Sequence, residues 1–204
     1  MLYDRHCFEL AKLVDAIDYR GLDGVRFEED GAVVVANGSH LVRYKPHMPA
    51  TDEFPKVEGM ALADNKDTLV PFTLPKAAAL KVAKQIPRKT TLSILGYACL
   101  DVAGTNAGDK VRLAVTDSDT SQVICTPKGE DKYPEWRKVL PTEDTIDANA
   151  SLCPTLLATL ASTARSLGCI CLKVELHGAD KPAKFTGKTE NGGEVMMVLM
   201  PRRA

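Results

Sequence analysis

The stretch TLPKAAALKVAKQIP, residues 73–87, decides the fold. Ala79, Val82, Ala83 and Ile86 fall at helical spacing and line one face, Pro75 suits a first helical position, and Pro87 stops the helix. Four strand-like runs follow it: TTLSIL, YACLDVAG, KVRLAVT and SQVICTP. The same order stands on either side. HCFELAKLVDAID, with Leu10, Leu13, Val14 and Ile17 on one face, precedes GVRFEE, AVVVAN and HLVRYK, divided by Asp30-Gly31 and Asn37-Gly38-Ser39. SLCPTLLATLASTARSLG, with Leu157, Leu160, Ala161 and Ala164 as its stripe and Gly168 as its closing residue, precedes CICLKVELHG, AKFTGKT and EVMMVLMP. The three helices begin about 70 and then about 80 residues apart, which is an internal repeat. A helix followed by an antiparallel meander, three times over, implies an α+β protein with helices on one side of antiparallel sheets. The stretches 46–67 and 127–149, rich in Pro and Gly, read as linkers.

Composition narrows the function classes. The chain has 204 residues, 45% of them hydrophobic and 26% charged, with a net charge of −1, so it can bury a core and does not read as disordered. No apolar run approaches the roughly 20 residues of a membrane span, and MLYDRHCFEL does not read as a signal peptide. The expectation is a cytoplasmic protein with no membrane partner. Its six cysteines sit mostly in apolar stretches and read as reduced core residues. A pI near 6.4 gives no global pull on nucleic acid, so any such role needs a local basic face.

Catalytic constellations are not found. No phosphate loop or dinucleotide fingerprint occurs, and no local signature pairs Cys7, Cys99, Cys125 or Cys153 with His6, His40, His47 or His177. Cys169-X-Cys171 alternates as on a strand and has no second pair to make a zinc site, and Asp117-Ser118-Asp119 reads as turn chemistry. The expectation is a non-enzyme with no metal and no cofactor.

Three segments carry a resemblance. Tyr133-Pro134-Glu135-Trp136-Arg137-Lys138-Val139-Leu140-Pro141 resembles the segment joining the second and third domains of the bacterial DNA polymerase III β sliding clamp family. Val198-Leu199-Met200-Pro201-Arg202-Arg203-Ala204 is similar to that family's C-terminus, and Ala36-Asn37-Gly38-Ser39-His40-Leu41 more loosely to its Thr-Asp-Gly-His-Arg-Leu turn. The chain departs from the pattern at Ala36, Asn37, Ser39, His40 and Lys138, the last keeping charge but losing the planar fork of arginine. The resemblance implies a clamp-like fold of repeated βαβββ units. Residues 1–127 would form a domain of two units, 128–144 a linker and 145–204 half a domain; the family's first domain has no counterpart.

Further implications concern function. The expected role is that of a non-catalytic replication or repair accessory, whose partners are a DNA polymerase or other clamp-binding proteins carrying short linear peptides. The family's peptide groove maps onto Gly38, Leu41, Pro134, Lys138, Val139, Met200, Pro201 and Arg202. Methionine offers an adaptable apolar surface there, and flanking cations suit polar or acidic peptide ends. Encircling double-stranded DNA without reading its sequence would need cations on the helices. Helix two offers Lys81, Lys84 and Arg88 at i, i+3 and i+7, with Lys76 and Lys89 nearby; helix three carries only Arg165, and helix one mixes Lys12 with acids. Counting units leaves the third without a mate, so a homodimer is expected, and a four-chain ring as its extension. Two alternatives stand: an adaptor that binds clamp partners without encircling DNA, and a small cysteine hydrolase.

Overall fold

The computed structural model describes residues 1–14, 22–60, 68–129, 133–141 and 150–202. A first unit runs β1 (Leu2–Asp4), α1 (Arg5–Glu9), β2 (Gly24–Phe27), β3 (Val33–Ala36) and β4 (His40–Lys45). A second runs β5 (Phe72–Pro75), α2 (Lys76–Gln85), β6 (Tyr97–Leu100), α3 (Val102–Asn106), β7 (Lys110–Thr116) and β8 (Ser121–Pro127). The third is α4 (Pro154–Ser166), β9 (Lys173–Glu175), β10 (Ala183–Lys188) and β11 (Glu194–Leu199).

The strands form a four-stranded sheet ordered β1-β6-β7-β8 and a seven-stranded sheet ordered β5-β2-β3-β4-β11-β10-β9. The first two units exchange their first strands: β1 lies along β6, and β5 along β2. The third unit joins the first through its last strand, with β11 antiparallel to β4 from Glu194↔Lys45 to Leu199↔His40.

Alternation along the strands decides what each face buries. Val33, Val35, Val42, Tyr44, Val195, Met197 and Leu199 point into one large core shared with Ala98, Leu100, Leu113 and the helices. Their neighbours Val34, Ala36, Leu41 and Val198 point out of the opposite face and meet Trp136. The four-stranded sheet behaves alike: Leu2, Cys99 and Ala114 on its far face meet Phe54 and Val57. The described parts of both stretches read as linkers therefore cover a sheet face, with Phe54 and Trp136 as the buried anchors.

Several local expectations are corrected. The first helix is one α-turn, capped by Asp4 accepting from Cys7 N, which tightens into a 3₁₀ turn over Leu10–Leu13 and turns extended at Val14; Ile17, the last residue of its expected stripe, lies outside the described residues. TTLSIL is not a strand: Ser93–Gly96 forms a 3₁₀ turn. YACLDVAG is a strand only to Leu100, because buried Asp101 accepts from Gly104 N and starts α3. Within α4 the buried side is Leu160, Thr163 and Ala164, while Leu157 and Ala161 are exposed. The stripe is rotated because the helix packs onto β11 with Leu160, Ala164 and Leu167 in the shared core.

Turn chemistry differs too. Gly31 and Gly192 do adopt positive φ, but Gly38 does not. The Asn37 side chain makes that turn, its Oδ1 accepting from Ser39 N and His40 N at 2.9 Å each. Gly168 ends α4 as expected, at φ 79°, with Cys169 N donating to Ala164 O in a Schellman arrangement.

A candidate peptide-binding cleft

The outer face of the seven-stranded sheet would be bare over β3, β4 and β11 without the segment 133–140. Trp136 holds that segment down. It is 6% exposed, and its Nε1 donates at 3.1 Å to Oε1 of Glu28, itself 6% exposed. Arg137 closes the arrangement, donating from Nη2 to Glu28 Oε2 at 2.8 Å and lying 4.6 Å over the Trp136 ring. Tyr133 Oη reaches Val34 O at 3.5 Å. The buried carboxylate thus has both oxygens paired, as a desolvated charge requires.

Beside this anchor lies a cleft of about 310 Å³. Its floor is Leu22, Ala36, Leu41 and Val198. One wall is the turn Asn37, Gly38 and His40; the other is Pro134, Trp136 and Val139, and Met200 stands at the end. Met200 N donates to Ser39 O at 3.0 Å, which ties the tail to the turn. A second depression of about 290 Å³ shares Val139 and Met200, and is flanked by Lys138 and Lys181.

Of the eight residues expected at the groove, Gly38, Leu41, Pro134, Val139 and Met200 line the cleft. Lys138 lies in the neighbouring depression, paired with Glu135. Pro201 and Arg202 do not line the cleft: Arg202 N donates to Ser151 O at 2.9 Å, turning the tail toward α4. Leu22, Ala36, Asn37, His40, Trp136 and Val198 were missed. The alternation that sends Val33 and Val35 inward sends Ala36 outward, so period two alone could have found it.

The helix side is different. A hollow of about 590 Å³ between α1 and α4 is lined by the hydroxyl residues Thr155, Thr159, Ser162, Thr163 and Ser166 together with Leu10, Leu13 and Leu167. A wider one of about 760 Å³ draws Arg5, Arg88 and Arg165 from the three units, together with Asp4, Glu9 and Glu190. The basic stripe is corrected in two places. Lys76 is half-buried and donates from Nζ to Val14 O at 2.5 Å. Arg88 and Lys89 lie beyond the helix, which ends at Gln85, so only Lys81 and Lys84 share its exposed face.

The cysteines are also corrected. Cys7 and Cys99 are buried, but Cys125 and Cys171 are exposed, and Cys153 and Cys169 are half-buried. Cys169 and Cys171 precede β9 and do not alternate on it. Burial raises the thiols of Cys7 and Cys99. The backbone N–H of Leu156 at the start of α4, helped by Thr155 and the Arg202 guanidinium, lowers that of Cys153. Iodoacetamide is therefore expected to modify Cys153 at a lower pH than an ordinary thiol, and to leave Cys7 and Cys99 untouched until the chain unfolds. Peptide mapping after a pH series checks it. Asp117 behaves as a turn residue, its Oδ1 accepting from Thr120 N, Thr120 Oγ1 and Asp119 N. Among the described residues no group of three or more His, Cys, Asp or Glu could hold a metal ion, and no helix is long and apolar enough to cross a membrane.

Solved structures place this architecture. A DNA polymerase III subunit β sliding clamp from Bartonella birtlesii bound to griselimycin superposes with a TM-score of 0.64 at 13% identity, over 100% of this chain and 66% of that one. The fold is a sliding-clamp fold. A sliding clamp from Pseudomonas aeruginosa gives 0.64 at 10% identity over 100% and 66%. The Helicobacter pylori β clamp in complex with 3,4-difluorobenzamide gives 0.61 at 12% over 98% and 64%. The chain thus spans about two thirds of the length of these clamps. No protein-family model and no curated protein sequence matches it.

Proposed function

We propose that the chain is a non-catalytic, clamp-like accessory of DNA replication or repair, and that its cleft takes short linear peptides from a polymerase or another clamp-binding protein. One observation carries the proposal: three segments distant in sequence, the Gly38 turn, the Pro134–Val139 segment and Met200, wall one apolar cleft on a clamp fold. The occupant fitting it has a polar, glutamine-like head and an apolar tail. Leu22, Leu41 and Val198 offer the tail burial, and Asn37 and His40 offer the head polar company. Lys138 and Lys181 beside Met200 suit an acidic flank. In this proposal residues 1–127 and 145–204 act as one and a half clamp domains about the 128–144 linker, and the chain associates with itself.

Double-stranded DNA on the helix side is the finer part of the proposal. Lys81, Lys84, Arg88 and Lys89 are the cations offered to phosphates, joined by Arg165. The second reading, an adaptor that binds clamp partners without encircling DNA, is favoured by the engagement of Lys76 and by the acids Asp4, Glu9 and Glu190 among the arginines. Retention on DNA separates the two. A ring loaded on nicked circular DNA is expected to stay bound through a moderate-salt wash and to be lost when the circle is cut. Equal loss from circle and linear template would leave the adaptor reading.

A further inference from the structure

The two complete units show how this fold closes a sheet edge. β1 leads straight into α1 and β5 into α2, yet each pairs with the other unit's sheet. At each junction the residue before the helix cap meets a buried apolar residue: Tyr3 pairs with Ala98 and Leu74 with Val25, all fully buried. The exchange is reciprocal, and α1 and α2 pack together above it.

The third unit follows the same plan up to its outer edge. Cys153 caps α4 as Asp4 caps α1 and Pro75 caps α2, so Leu152 stands where Tyr3 and Leu74 stand. β9 holds the place of β2 and β6 in its sheet, and it ends the seven-stranded order. A mate within the chain would have to lie between Pro141 and Ala150, and those eight residues are too few for a strand, a helix and a meander. Exposed apolar side chains belong to this same flank: Leu157 is 37%, Ile170 75% and Val174 50% exposed. On α4 the core side is Leu160, Ala164 and Leu167 and the α1 side is Thr155, Thr159, Ser162 and Ser166. At 100° per residue, Leu157 and Ala161 fall on the remaining side.

We propose that this flank is covered by the same flank of a second copy, the Ser151–Cys153 segment of each chain lying along β9 of the other. The inference rests on the self-association proposed above, not on the cleft, and names its surface. The occupant is a second copy because the required piece is already in the chain. The register of the complete units, Tyr3↔Ala98 and Leu74↔Val25, carries over as Leu152 opposite the partner's Val174 and Cys153 opposite the partner's Lys173. A reciprocal exchange between two identical units is a two-fold, isologous contact, closed and self-limiting. It continues the pairing already made between the first two units, pairs an edge that would otherwise template aggregation, and sets α4 against its copy as α1 sits against α2.

Light scattering and a cross-link test it. At micromolar concentration the chain is expected at twice its 22.1 kDa mass. Val174→Lys and Leu157→Glu are each expected to halve that mass while keeping the wild-type far-ultraviolet circular-dichroism spectrum, both side chains being partly exposed already. In Lys173→Cys the new thiol should lie opposite Cys153 of the other chain, within the Cα separation a disulfide spans. Oxidation is expected to give a covalent dimer on a non-reducing gel that Cys153→Ser abolishes. A monomeric wild type would overturn both the self-association and this surface. A dimer that survives V174K and L157E, or a K173C cross-link independent of Cys153, would overturn the surface alone.

Discussion

Trp136→Ala is expected to lower the stability of the chain by about 3–5 kcal/mol, the range for truncating a buried aromatic. Trp136 is the main apolar contact between the segment 133–140 and the sheet face of Val34, Ala36, Leu41 and Val198. Its loss also takes the indole donor from the buried Glu28 carboxylate, leaving Arg26 at 3.8 Å and the more exposed Arg137 to hold it. The loss is expected to reach the cleft, because Pro134 and Val139 keep their places only while Trp136 is anchored between them. Urea denaturation of both proteins checks the stability. A difference under about 1 kcal/mol, with the denaturant slope unchanged, would mean that the segment is not anchored as described.

Met200→Asp is expected to weaken peptide binding at least tenfold, about 1.4 kcal/mol, with little change in stability. Met200 is exposed at the rim between the two depressions, so folding does not depend on its burial. A bound apolar tail would bury it, and a carboxylate there would have to be desolvated without a partner. Lys138→Ala is the companion. Lys138 is outside the cleft, exposed and paired with Glu135, so its removal is expected to cost less than Met200→Asp. Calorimetric titration with a short peptide carrying Gln at its head and Leu-Leu at its tail gives both numbers. Equal affinities for the two variants would remove the reason to place the peptide beside Met200.

The fold was legible where apolar periodicity and tertiary packing agree. Ala79, Val82, Ala83 and Ile86 form the buried side of α2, and the repeat of helix and meander gives the antiparallel sheets. It failed where local side chains divert the backbone. Asp101 starts a helix inside an apparent strand, and Asn37 builds a turn whose glycine needs no positive φ. The stripe of α4 was misplaced because its burial depends on β11, a strand 28 or more residues away in sequence, and no helical period reveals which side that neighbour takes. Of the cleft, the resemblance supplied the three segments and five lining residues. It did not supply Glu28, whose role depends on a sheet face meeting an indole more than 100 residues later. Lys76 looked like part of a basic face because a sequence does not show that a carbonyl, that of Val14, ends a turn within its reach.

Methyl-resolved NMR during a titration with the same Gln-headed, Leu-Leu-tailed peptide tests the cleft most directly. Methyl signals of Met200, Val139, Leu41, Leu22 and Val198 are expected to shift together and saturate, while those of Leu10 and Leu13, which line the hollow between α1 and α4, stay in place. A saturating shift confined to Leu10 and Leu13, or no shift at any of these methyls at millimolar peptide, would contradict the cleft as the binding site.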